Sequence, residues 1–257
     1  MKSAALTVLS AAIIGMSAAP DAKADQERKQ MEEEVAGQQL HYWLYLPKEI
    51  EKADKSSVPL LVFLHGAGER GDNLDRVKVH GPPKLIGNGS PMDGAIVVSP
   101  QCPANTWWNT EVVKALLDEV IGSQPAVDES RIYITGLSMG GYGTWGMISE
   151  YPDFFAAAAP ICGGGDHNRL KIIKEKRPTT FSMKKLVRAK DVPVWAFHGD
   201  KDGVVPMEES KILVDALEKA DASSVKLTIY PGVGHNSWTR TYADPKLYEW
   251  MFAQKKD

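Results

Sequence analysis

The residues that most restrict how this chain can fold are Gly136-Leu137-Ser138-Met139-Gly140, set directly after the β-branched and aromatic run Ile132-Tyr133-Ile134-Thr135. A serine between two glycines at the end of an apolar strand is the G-x-S-x-G pattern of a strand-to-helix elbow. The turn is so sharp that only small neighbours let the chain double back while Oγ is held out at the strand tip. Residues 140–149 continue with small and apolar side chains suited to a helix packed closely on that strand. Ser138 is therefore the candidate nucleophile.

A serine hydroxyl needs a base to take its proton, an acid to orient the base, and donors for the oxyanion formed on attack. Residues 192–197, Val-Pro-Val-Trp-Ala-Phe, read as a buried strand running into His198-Gly199-Asp200-Lys201-Asp202. The next strand, residues 225–230, runs into Pro231-Gly232-Val233-Gly234-His235. Serine, acid, histidine is one of the known chain orders for a catalytic triad. His235 is the candidate base, and spacing alone leaves the acid open between Asp200 and Asp202. Upstream, the apolar residues 60–64 are followed at once by His65-Gly66-Ala67-Gly68-Glu69-Arg70-Gly71. A glycine-rich turn there exposes backbone N–H groups, so the amides of Ala67 and Met139 are the expected oxyanion donors. Singly, a histidine after a strand or an Asp-Lys-Asp-Gly run is an ordinary turn. Four such features in this order at strand ends carry the reading.

Strands are expected at residues 40–46, 60–64, 95–99, 131–137, 154–161, 192–197 and 225–230, and helices at 111–121, 141–150, 207–220 and 245–252. The alternation implies a doubly wound, mostly parallel sheet flanked by helices, with the site on the carboxyl edge of the strands. Residues 40–46 alternate and are expected to be an exposed outer strand. A chain of 257 residues, 43% hydrophobic and 25% charged, suits one globular domain of this kind.

The amino end differs. Met1-Lys2, the uncharged residues 3–20 and Asp21-Ala22-Lys23-Ala24 give a basic start, an apolar core and an A-x-A cleavage site. The expectation is a signal peptide at residues 1–24, a single catalytic domain at 25–257, and export to the periplasm or the extracellular space. The leader is too short and Ala-rich for a confident span, so no stable membrane insertion is expected after its removal. Its removal leaves 28 basic and 32 acidic residues and moves the net charge from −3 to about −4, against a nucleic-acid partner. Cys102 and Cys162 each follow an apolar strand, and an oxidising compartment permits a bond between them whose geometry the sequence does not give. Cys162 has only His167 nearby and no C-x-x-C or H-x-x-x-H spacing occurs, so no metal is expected. No feature sets the oligomeric state.

Residues 65–71, Pro100-Gln101-Cys102-Pro103, the elbow at Ser138 and residues 198–202 together resemble the α/β-hydrolase superfamily, over residues 39–253. The chain is similar to its compact secreted esterases: the phospholipase/carboxylesterase, dienelactone hydrolase and polyhydroxybutyrate-depolymerase-like branches. The resemblance implies an α/β-hydrolase fold and a serine esterase working on small or polymer-derived carboxylic esters without a cofactor. It also implies Asp202 as the triad acid, with Asp200 holding the loop. A peptidase of the prolyl-oligopeptidase type would share this machinery, and feruloyl or acetyl-sugar esters are alternative substrates. A binding protein on the same fold would lack a triad member, and none is missing.

Two stretches bear on substrate choice. Trp107-Trp108 lie in a polar loop and, with His65, are candidate pocket walls; packing beneath a loop is the plainer reading. Residues 169–190 carry nine Lys or Arg against Glu175 alone. They are expected to lie in a small cap insertion at 166–190, which would favour anionic substrates by steering.

Overall fold

The computed structural model describes residues 26–48, 50–87, 89–165 and 182–256. Among these, the strands are β1 (Gln26–Gln30), β2 (His41–Tyr45), β3 (Val58–Leu64), β4 (Ile96–Pro100), β5 (Val127–Leu137), β6 (Ala157–Ile161), β7 (Val194–Gly199) and β8 (Val225–Tyr230). They form one sheet in the order β1-β2-β4-β3-β5-β6-β7-β8. β2 is antiparallel to both β1 and β4, and every pairing from β4 across to β8 is parallel. The helices are α1 (Gly81–Leu85), α2 (Thr110–Ser123), α3 (Met139–Glu150), α4 (Met183–Leu186), α5 (Glu208–Lys219), α6 (Trp238–Ala243) and α7 (Pro245–Phe252).

The parallel strands are continuous apolar runs because both faces of the sheet are covered. Alternate side chains go to opposite sides. Leu60, Val62 and Leu64 of β3, with Ile132 and Ile134 of β5, meet the apolar faces of α2, α3 and α5. Leu61, Phe63 and Tyr133 meet Tyr242 of α6 and Leu247, Tyr248 and Met251 of α7. The helices start where the sequence caps them: Asn109 Oδ1 accepts the Glu111 amide at 3.0 Å ahead of α2, and Asp244 accepts that of Lys246 ahead of α7, whose first residue is Pro245. This is the α/β-hydrolase fold.

Residues 40–46 are not the outer strand. β2 lies between β1 and β4 with Tyr42, Trp43, Leu44 and Tyr45 buried, and β1 forms the edge. β1 reads Gln-Glu-Arg-Lys-Gln. An edge strand is held by its backbone ladder with β2, so it needs no apolar alternation, and a run of charges protects the free edge.

The leader at 1–24 lies outside the described residues, as do residues 166–181 with Arg169, Lys171, Lys174, Lys176 and Arg177. The rest of the basic segment forms no cap. Leu186 and Ala189 are buried in the helical layer beside α3 and α5, and Lys185 pairs with Glu150 at 2.6 Å. Glu150 ends α3 while Ser138 precedes its start, and at 1.5 Å per residue the two are about 18 Å apart along the helix. Burial of the apolar positions draws this stretch into the layer and away from the site. Among the described residues, no helix is long and apolar enough to cross a membrane.

Candidate active site

Ser138 stands between β5 and α3 with φ 51° and ψ −114°, a left-handed conformation that is strained for any residue but glycine. The elbow exists because its glycines have no side chains. A Cβ on Gly140 would collide with the carbonyl oxygen of Leu64, and one on Gly136 with the carbonyl of Gly140. The Ser138 amide donates to Ile161 O at 2.9 Å, which ties the elbow to β6.

His235 and Asp202 arrive on the loops after β8 and β7. These loops are stitched together: Asp200 donates its amide to Tyr230 O at 3.2 Å, Lys201 to Val233 O at 2.9 Å, and Gly199 leaves room for the carbonyls of Val233 and Gly234. His235 Nε2 is 2.9 Å from Ser138 Oγ, and His235 Nδ1 is 2.7 Å from Asp202 Oδ2. Acid, imidazole and hydroxyl therefore form one chain. Asp202 Oδ1 accepts the amides of Val204 and Val205, each at 2.9 Å. Burial pushes the Asp202 carboxyl upward, but hydrogen bonds from His198, His235 and the Val205 amide outweigh it and hold the group well below the usual carboxylate range. Asp200 does something else. It is exposed, and its Oδ1 accepts the Gly232 amide at 2.7 Å, closing the turn that leads to His235.

Ala67 opens a short 3-10 turn at 67–69, and Met139 opens α3. The amide of a first helical residue has no acceptor within its own helix, which leaves both free to serve an oxyanion. Glu69 Oε2 accepts the Gly66 amide at 2.9 Å and holds the turn.

His65 and Trp108 are not pocket walls. His65 is fully buried: its Nε2 accepts the Cys102 amide at 2.9 Å and its Nδ1 lies 2.6 Å from Gly66 O. Trp108 is buried edge-on against it, and its Nε1 donates to His65 O at 3.1 Å. Both groups are used to hold the loop from beneath, because buried N–H and carbonyl groups must be paired. Trp107 is half-buried and meets Tyr142, four residues after Ser138, edge-on with ring centroids 5.8 Å apart. Trp238, which the sequence did not single out, stands edge-on to His235 at 5.4 Å and also contacts His80.

Cys102 and Cys162 are free, buried thiols. Cys102 Sγ contacts Thr106 Oγ1, whereas Cys162 lies under the elbow, where burial pushes its thiol up to about 12. His167 lies outside the described residues. The fold instead brings ligand-type atoms of Cys162, Asp202 and His235 within 4.8 Å of one another. A cation there would have to displace both the thiol proton and the proton between Asp202 and His235.

A model of the prolyl oligopeptidase family matches residues 110–256, more than half of the chain. The chain belongs to that family. The chain is similar to several known proteins. A thermostable esterase of known structure is 34% identical with a TM-score of 0.71, over 90% of this chain and 64% of that one. Poly(3-hydroxyalkanoate) depolymerase C of Paucimonas lemoignei is 46% identical over 52 residues, 20% of this chain and 12% of that protein. A bifunctional acetylxylan esterase/xylanase of Neocallimastix patriciarum is 27% identical over 184 residues, 69% of this chain and 23% of that protein. This family member thus spans less than two thirds of each.

Proposed function

We propose that the protein is a serine hydrolase of carboxylic esters, with Ser138, His235 and Asp202 as the triad and the Ala67 and Met139 amides as the oxyanion hole. The observation that carries the reading is the unbroken hydrogen-bonded path from Asp202 through His235 to the strained Ser138. His235 Nε2 takes the hydroxyl proton as Oγ attacks the ester carbonyl. Asp202 keeps the Nδ1 tautomer and stabilises the imidazolium, and the two amides hold the developing oxyanion. The tetrahedral intermediate collapses as His235 returns the proton to the leaving alkoxide. His235 then deprotonates water as it attacks the acyl-enzyme, and returns that proton to Ser138 Oγ as the acid is released.

Relatives named for poly(3-hydroxyalkanoate) and acetylxylan support esters carried on polymers as the substrate class. The family name supports peptide cleavage as the second reading, since amides yield to the same machinery. The leader at 1–24 supports export. Mature protein assayed against nitrophenyl esters of graded chain length, acetylated and feruloylated sugars, poly(3-hydroxybutyrate) and peptide anilides separates the readings. Ester turnover far above anilide turnover is expected, and the reverse ranking would make the protein a peptidase. An anionic preference would rest on Lys174, Lys176 and Arg177. It requires kcat/KM for an anionic ester to fall with added salt while that of a neutral ester stays level.

A further inference from the structure

We propose that His198 is a positioning residue for the triad acid: its Nε2–H donates to Asp202 Oδ2 alongside His235 Nδ1–H and fixes the carboxylate for the base. This rests on the reading of Asp202 as the acid of the triad. His198 is the penultimate residue of β7 and has no solvent exposure. Its Nε2 faces Val205 O at 3.0 Å and Asp202 Oδ2 at 3.2 Å. Neither a carbonyl nor a carboxylate oxygen can donate, so Nε2 must carry a proton.

The other side of the ring is also held. Nδ1 is 2.8 Å from Ser210 Oγ on α5, and that hydroxyl is 3.2 Å from Gly163 O just beyond β6. The imidazole is thus fastened to a helix and to the segment after β6 while its far nitrogen points at the acid loop. Around Asp202, the Val204 and Val205 amides donate to Oδ1 and His235 to Oδ2, and the single Nε2 proton of His198, hydrogen-bonded to Val205 O at 3.0 Å, also faces Oδ2 at 3.2 Å. A carboxylate has about four acceptor sites; three are filled by these hydrogen bonds, and the shared His198 proton faces the fourth.

The titratable neighbours of this unit are Asp202 on its own loop, His235 from the loop after β8 and Cys162 from the end of β6. Glu209 precedes Ser210 on α5. The Cys162 thiol, pushed up to about 12, stays neutral at working pH.

The test compares His198→Asn with His198→Gln. The longer amide of Gln brings N–H groups close to where ring Nε2 stood, whereas that of Asn reaches only toward Ser210. His235 is followed by NMR titration, and kcat, KM and the pH profile by ester hydrolysis. Losing one donor leaves more negative charge on Asp202 for the His235 imidazolium. In His198→Asn the His235 midpoint should therefore rise, by about half a unit or more, and the acid limb of kcat/KM should move up with it. kcat should fall about 10-fold to 100-fold with KM little changed, and His198→Gln should recover most of both.

Equal losses in the two variants, or a His235 midpoint the same in all three proteins, would overturn the proposal. If His198→Asn does not fold, Ser210→Ala takes its place: it frees the Nδ1 side of the ring and should shift His235 in the same direction by less, and no shift there would overturn the proposal. The titration needs no turnover. Undiminished ester hydrolysis by Ser138→Ala would reject the catalytic reading while the NMR result still judged His198.

Discussion

His65 Nδ1 lies 2.6 Å from the carbonyl oxygen of Gly66, and this contact sets which way Ala67 offers its amide. Cys102 N–H occupies Nε2, so the ring proton must sit on Nδ1 and point at Gly66 O. The Gly66 carbonyl and the Ala67 N–H belong to one planar peptide and point in opposite directions, so holding one aims the other. His65→Leu removes the contact and should lower kcat toward the ~10²-fold loss typical of a missing oxyanion donor, with KM little changed. His65→Asn keeps a donor near the Nδ1 position and should lose less. Steady-state kinetics on one ester reads both.

The same residue makes stability depend on pH. Burial lowers the His65 imidazole from 6.5 to about 4, against the raising pull of Gly66 O and with help from Arg70 and Arg76. Above pH 6.5 it is neutral in both states. As pH falls from 6.5 toward 4, the unfolded chain binds a proton that the folded one refuses, so stability declines, by up to about 3 kcal/mol for this group. Urea unfolding at pH 7.5, 5.5 and 4.5 should show a steeper decline for the native sequence than for His65→Asn.

Ser138→Ala should fold normally and lose roughly 10⁶-fold in kcat, the scale found when a triad nucleophile is removed. A fluorophosphonate should label the native protein at Ser138, and peptide mapping by mass spectrometry would expose labelling at any other serine.

The two aspartates of residues 198–202 should separate by orders of magnitude. Asp202→Asn places an amide against His235 Nδ1 and should cost about 10⁴-fold in kcat through the wrong tautomer. Asp200→Asn still accepts from Gly232 N at an exposed turn and should cost less than about 10-fold. The ratio of the two kcat values checks the assignment.

Gly140→Ala should fold poorly, because its new methyl group meets the backbone oxygen of Leu64, which cannot move without shifting β3. A loss of at least about 1–3 kcal/mol is expected, as for other overpacked sites, and thermal denaturation measures it. Gly68→Ala, next to Ala67 but with open space around it, should change stability little.

Local pattern alone set the elbow, the order of the candidate residues and most of the elements, because each rests on interactions within a few residues. Gly136 and Gly140 must be small where the chain reverses, apolar runs must be covered, and Asn109 and Asp244 cap the helices they precede. The edge strand escaped this reading. β1 is polar throughout, and what holds it is a ladder to β2, a partner eleven or more residues away.

The tertiary structure decided which side chains face the site and which stand behind it. His65, Trp108 and His198 occur in segments the sequence marks as functional, yet all three are buried and spend their polar atoms on backbone carbonyls and amides, the Ser210 hydroxyl or Asp202. The spacing of Asp200 and Asp202 was equally open until the loops after β7 and β8 were joined, which put one carboxylate on Gly232 and the other on His235. Direction and burial of a side chain depend on contacts made across the whole fold, and no short stretch of sequence contains them.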